Sequence, residues 1–460
     1  MRAFDEIPGP PPASTLPAAY ALMKEVRKDL LGLVLRTFEE MGDVFRLEVL
    51  GRKQVLVRAP AQNREVLLDH ASAFEKGKDY TDRQKGLAKF GGAGLVTSNG
   101  DFWKRQRRLV APALHAKRIV GYGEAMVRAG REAMASWKEG DVVEMDQAMM
   151  ATALEIVART MFSTTVAGET QRIADATHAL HGMFEANNSA WTLLPAWFPT
   201  LQRMREDRAV ATLDEIVYRM IRERRPTPEG AVRDSGDLAC MLLSAEDEDG
   251  SRMTDVQARD EMVTMFVAGH ETAANTLAWA WICLAREPAI RAALDEELAR
   301  VLGPAGPDRR LPEAADVRAL RYTEAVIKET LRLFPPAFTM MRTAIADTSV
   351  GGYAIPRGTD VSLVPYATHR AAHVFPDPTR FDPTRFLGEA EPDRFAWIPF
   401  GGGPRVCVGN AFALMETTLV LATIASRFAP VLAEGCDPRP VPGVTLRPSG
   451  PLRMRLEAAR

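Results

Sequence analysis

The chain has 460 residues, 46% hydrophobic and 26% charged, the usage of a globular protein and not of a disordered or fibrous one. Its 58 basic and 60 acidic residues leave a net charge of -2, so the charge balance makes no case for nucleic acid as a partner. Four scattered cysteines, Cys240, Cys283, Cys407 and Cys436, are too few for a disulfide framework and fit a reducing compartment.

The N-terminal stretch lacks an apolar core with a basic leader and a small-residue cleavage site. No stretch supplies the roughly 20 uncharged apolar residues of a spanning helix. The expectation is a cytoplasmic protein with no membrane anchor. Residues 43–59 alternate (Phe45, Leu47, Val49, then Val55, Val57) around Gly51, which predicts a hairpin. Residues 118–137 repeat apolar positions three and four apart, the period of a helix. The longest predicted helix spans 254–287, with Thr254 as its cap and Pro288 just past its end. At 1.5 Å per residue it would be about 50 Å long. Its middle, 262–281, is apolar on most faces and should be buried centrally. Gly269-His270-Glu271-Thr272 interrupts that apolar run, and buried polar groups are costly unless they are satisfied. Residues 343–365 hold a second hairpin signal at Val350-Gly351-Gly352-Tyr353, and 444–456 a third, broken at Ser449-Gly450-Pro451. The fold class expected is mainly α with small β-sheets. The breaks at 225–236, 245–251, 303–312 and 376–392 are not low-complexity linkers, so one domain over 1–460 is expected, β-rich near 43–59, 343–365 and 444–456.

The strongest chemical signal is Phe400-Gly-Gly-Gly-Pro-Arg-Val-Cys407-Val-Gly409, followed by an apolar helix over 410–426. A cysteine just before a helix feels the positive end of its dipole, which favours thiolate. Glycines let backbone N–H groups approach the sulfur. These are the requirements of an anionic sulfur ligand to one metal. The same spacing also suits an inert buried cysteine at a helix start. A phosphate cradle is a further reading, but the Lys-Ser/Thr ending of such loops is absent.

FGGGPRVCVG resembles the haem-binding loop of the cytochrome P450 family at every defined position. Four further stretches resemble that family in order: Trp103-x-x-x-Arg107, Ala268-Gly269-His270-Glu271-Thr272, Glu329-x-x-Arg332 and Pro383-x-Arg385-Phe386. The resemblance implies the family's fold, with a long central helix over the haem. It makes Cys407 the thiolate ligand of haem iron, which favours O–O cleavage. Phe400 would pack near the ring, Gly409 would close the loop, and Arg405, Trp103, Arg107 and Arg342 would face the haem carboxylates. Glu271 and Thr272 would relay protons to dioxygen, with Ala268 and Gly269 leaving room and loosening the helix. Ala273 departs from the pattern, standing where a second hydroxyl is common. Glu329, Arg332 and Arg385 would form a buried ionic network that holds the cysteine loop.

By family position the pocket walls should come from 80–97, 183–201, 263–267, 337–341 and 449–451, including Val96, Phe184, Phe266, Val267, Phe338 and Met340. The lining looks apolar, without a charge anchor. His369 and His373 are spaced like a metal pair but have no third ligand nearby. The implied activity is a haem-thiolate monooxygenase that hydroxylates or epoxidises a lipophilic small molecule. Haem b is its cofactor and O2 its co-substrate. NAD(P)H acts only indirectly, through a ferredoxin or flavodoxin with its reductase, and Arg108, Lys117 and Arg118 could help dock that partner. The protein would be a monomer. An H2O2-driven peroxygenase and a non-catalytic haem sensor are the alternatives.

Overall fold

The computed structural model describes the chain except residues 85, 164–168, 170–171, 174, 177–178, 180–199, 226–236, 247–249, 307, 389–391 and 460. Its longer helices are α1 (Leu16–Met41), α2 (Gly100–Val110), α3 (Ala116–Ala133), α4 (Met145–Phe162), α5 (Leu201–Arg224), α6 (Leu238–Ser244), α7 (Asp255–Arg286), α8 (Pro288–Leu302), α9 (Arg321–Leu333) and α10 (Asn410–Ala425).

Helix α7 is the axis of the main core. Thr254 caps it reciprocally: the Gln257 N–H donates to Thr254 Oγ1 at 3.2 Å and the Thr254 N–H to Gln257 Oε1 at 3.0 Å. Most of its apolar residues are buried, including Trp279 and Trp281. Trp279 stacks on Phe334 with ring centroids 3.9 Å apart. The helix runs without a non-helical residue, so Gly269 makes no break in it. Gly269 instead admits α4: a Cβ there would stand 3.1 Å from Val157 Cγ2. Helix α10 is almost wholly buried beside α7, which fixes the direction from which residues 400–409 approach the core.

The strands are β1 (Val44–Val49), β2 (Arg52–Val57), β3 (Phe74–Glu75), β4 (Val142–Glu144), β5 (Met340–Ala344), β6 (Thr348–Val350), β7 (Tyr353–Ile355), β8 (Asp360–Leu363), β9 (Phe428–Leu432), β10 (Pro440–Pro442), β11 (Leu446–Pro448) and β12 (Arg453–Ala458). The largest sheet has the order β1-β2-β8-β5-β3, with β2 and β8 parallel. Alternate side chains share a face of a sheet. Arg52, Gln54, Met341, Thr343, Asp360 and Ser362 therefore form one rim.

The first two hairpin signals match β1–β2 and β6–β7. The third does not fold on itself: β11 pairs with β10, whereas β12 pairs with β4 and β9. Pro448 and Pro451 flank the break and lack N–H donors, so its two arms find separate partners.

Candidate functional site

The cysteine loop is built against distant segments. The Cys407 N–H donates to the Phe400 carbonyl at 2.9 Å, closing the loop. Gly403 has φ 63°, and a Cβ there would lie 1.8 Å from the Leu67 carbonyl oxygen, so this crossing requires glycine. Arg107 Nη1 donates to the Val406 carbonyl at 2.8 Å, so α2 holds the residue before the cysteine. Phe400 packs edge-on against Trp397, centroids 6.0 Å apart. Burial pushes the Cys407 thiol up, while the Gly409 N–H and the Arg107 charge act against that shift.

Four cations converge beside this loop. Arg405 lies 4.1 Å over the Trp103 ring and donates to Ser98 O and Asn99 Oδ1, each at 3.3 Å. Arg342 donates to Met341 O at 2.9 Å, and Lys76 Nζ to Leu95 O at 2.6 Å. Arg107 is the fourth. Desolvation lowers Arg405 to about 10, with repulsion from Arg342 and Arg107 adding to it. Lys76 is lowered well below its ordinary value by burial and then by repulsion from Arg405, Arg342 and Arg107. None of the four forms an ion pair with a carboxylate among the described residues. Lys76 had no motif to announce it; only its burial among arginines reveals it.

Mutually repelling cations that are buried or half-buried call for a dianion. Cys407 is ringed by protein yet its side chain is accessible, so that accessible surface faces the interior. Ala268, midway along the core helix α7, is likewise accessible. An accessible sulfur, an accessible methyl group and four cations with no ion pair among the described residues fit a flat, largely apolar group bearing two carboxylates. The residues present therefore fit haem.

Glu271 and Thr272 are adjacent in α7 but bond elsewhere. Thr272 Oγ1 donates to the Ala268 carbonyl at 2.7 Å. Glu271, 1% exposed, accepts from the Thr445 hydroxyl, which in turn accepts from Asn275 Nδ2 at 3.0 Å. Thr445 was not foreseen; it is 174 residues away in sequence.

The trio Glu329, Arg332 and Arg385 comes together. Arg332 and Glu329 are fully buried and pair through two bonds of 2.7 Å. Arg385 Nε is 3.5 Å from the same carboxylate. Arg332 also donates to the carbonyls of His369, Pro378 and Arg380. His369 is no metal ligand: Nδ1 meets the Arg332 carbonyl at 3.0 Å, and Nε2 accepts from the Ile398 N–H at 3.0 Å. It thereby links the ion pair to the segment entering the cysteine loop. His373 lies apart, 3.4 Å from Asp43. Among the described residues no cluster of three metal-binding side chains exists.

A cavity of about 1150 Å³ lies along α7. Val96, Val267, Phe338 and Met340 line it, with Ala268, Glu271 and Thr272. Phe266 does not. It turns away and stacks on Phe162 with centroids 4.4 Å apart, because it sits on the α4-facing side of the helix. Gly443, Val444 and Thr445 line the cavity where 449–451 was expected. Phe184 lies outside the described residues. The lining also carries charge, contrary to expectation: Arg52, Lys78, Asp79, Asp82 and Asp360 stand at one end.

The cytochrome P450 family model matches residues 8–454. Cyclooctatin synthase of Streptomyces melanosporofaciens is 36% identical over 452 residues, covering 95% of this chain and 93% of that protein. Cyclooctat-9-en-7-ol 5-monooxygenase of the same organism is 37% identical, covering 88% and 84%. Pentalenene oxygenase of Streptomyces avermitilis is 34% identical, covering 91% and 90%. The chain belongs to the cytochrome P450 family and is an enzyme of its monooxygenase class. Such enzymes use haem and dioxygen, draw electrons from redox partners and act on lipophilic substrates. No helix among the described residues is long and apolar enough to cross a membrane.

Proposed function

We propose that this chain inserts one atom of O2 into a C–H or C=C bond of a cyclic terpenoid. The other atom leaves as water, with two electrons and two protons consumed. Haem b, bound through Cys407, supplies the reductive activation of dioxygen. Arg107, Arg342, Arg405 and Lys76 hold its carboxylates, and Trp103 backs Arg405. Glu271 and Thr272 hold protons at the carboxyl and hydroxyl oxygens that border the cavity. Glu329, Arg332 and Arg385 brace the loop of Cys407. Residues 400–409 exclude bulk water from the sulfur, and the apolar middle of the cavity orients the substrate.

The terpenoid reading rests on the names of the relatives and on a cavity roomy enough for a fused-ring hydrocarbon. Electrons come from NAD(P)H through a ferredoxin or flavodoxin and its reductase. Arg108, Lys117 and Arg118 are exposed on the helices beside the cysteine loop and would form part of the docking face. The protein works as a cytoplasmic monomer.

The observation that carries this reading is the accessible Cys407 sulfur beside four cations that form no ion pair with a carboxylate among the described residues. The test is the reduced CO spectrum of the purified holoprotein. Cys407→Ala loses the thiolate-ligated band; a retained band overturns the ligand assignment. Cyclic diterpene alcohols shift the haem optical spectrum on titration. A panel of such alcohols that leaves the spectrum unmoved overturns the substrate class.

A further inference from the structure

The charged end of the cavity is a wired arrangement and not a scatter of surface charges. Arg52 of β2 bonds Asp360 of β8 through Nε at 2.8 Å and reaches Asp79 at 3.4 Å. Asp360 is held a second time, by the Thr343 hydroxyl at 2.6 Å. Gly77 brings the short helix Lys78–Thr81, which carries Asp79, down onto this rim; a Cβ there would stand 2.7 Å from Thr343 Oγ1. Arg52 and Asp79 are each 57% exposed whereas Asp360 is 11% exposed, so this end of the cavity meets solvent.

The guanidinium that would suit a substrate carboxylate is therefore already committed to two carboxylates of the chain. The two carboxylates hold Arg52 above its ordinary value despite the cost of its partial burial. Among the described lining residues at this end the cations are Arg52 and Lys78, and the anions are Asp79, Asp82 and Asp360, a formal balance of -1. An anionic substrate would meet a net negative rim on entry and a buried acid further in. A low-dielectric wall strengthens that repulsion, and salt weakens its exposed part.

The geometry points to the Arg52–Asp79–Asp360 rim as a charge filter that admits uncharged terpenoid hydrocarbons and alcohols and rejects carboxylates. This deepens the proposed function and rests on it, since it assigns a charge class to the substrate of the same cavity.

The test is calorimetric titration of the holoprotein at pH 7.5 and low salt with matched pairs: the cyclic diterpene alcohol abietol against abietate, and dodecanol against dodecanoate. In each pair the alcohol binds at least tenfold more tightly, and the ratio shrinks as salt is raised. Asp79→Asn, an exposed change that leaves the Asp360 bonds intact, tightens the carboxylates several-fold and leaves the alcohols unchanged. Asp360→Asn acts in the same direction and more strongly. Carboxylates that bind the wild type as well as their alcohols overturn the filter, and so does an Asp79→Asn variant with unaltered carboxylate affinity. A wild type that prefers both dodecyl compounds to both abietane compounds overturns the cyclic-terpenoid reading and leaves the charge rule standing.

Discussion

At the scale of single residues, the side chains that were hardest to foresee are those that aim the foreseen ones. Cys407 and Arg405 announce themselves because their glycine-rich surroundings are contiguous. Thr445, Lys76 and His369 do not, because each acts through a partner far away in sequence. The Thr445 hydroxyl fixes the Glu271 carboxyl toward the hairpin that walls the cavity. Thr445→Val strands that buried carboxyl, at a cost of about 1–3 kcal/mol. The expected result is a several-fold drop in product formed per NAD(P)H consumed, with peroxide rising, and recovery in Thr445→Ser. Coupling that is equal in all three proteins overturns the positioning role. His369 is pushed down to about 3, first by burial and then by the nearby Arg332 and Arg370 charges. The unfolded chain takes up a proton near pH 6.5 and the folded chain does not. Its contribution to stability is thus complete above that pH. It is lost by about 1.4 kcal/mol per pH unit as the pH falls toward 3. Urea melts from pH 7.5 to 5 show this slope in the wild type and a shallower one in His369→Gln.

At the scale of elements, legibility followed locality. Helix α7 could be read to within a residue because Thr254 and Pro288 mark its ends. Its faces could not. A helix that is apolar all round gives no periodicity to say which side meets the cavity, and Phe266 was placed there although it belongs to the α4 contact. The closing strands misled for a related reason: a strand signal says nothing about the partner, and proline at both sides of the break sent the arms to different sheets. The loop of Cys407 is the element most sensitive to bulk. Gly403→Ala drives a methyl group into the Leu67 backbone at a left-handed φ, a strain on the order of 1–3 kcal/mol. Purified Gly403→Ala is expected to carry much less haem per chain, with helical circular dichroism preserved. Gly401→Ala shares the left-handed φ, at 71°, but its Cβ meets only Met340 Sδ at 3.4 Å, and it retains more. Equal haem content in the two variants would remove Leu67 as the constraint.

At the scale of the whole molecule, the four cations beside the loop make folding and haem retention opposed demands. In the haem-free protein, Lys76, Arg107, Arg342 and Arg405 repel one another across a desolvated region. Added sulfate or phosphate is expected to raise the melting temperature of the haem-free protein by several degrees and to move the holoprotein little. Arg342→Met sharpens the test, because it raises the melting temperature of the haem-free form while weakening haem retention. A variant that lowers both would show that Arg342 serves packing alone. The cysteine loop gathers its supports from Leu67, Ser98, Arg107, His369 and Ile398, which span most of the polypeptide. Contacts this remote form late, after many intervening loops have closed. Uptake of pigment therefore doubles as a certificate of assembly: a red molecule is one in which segments as remote as Leu67 and Ile398 have already found their places.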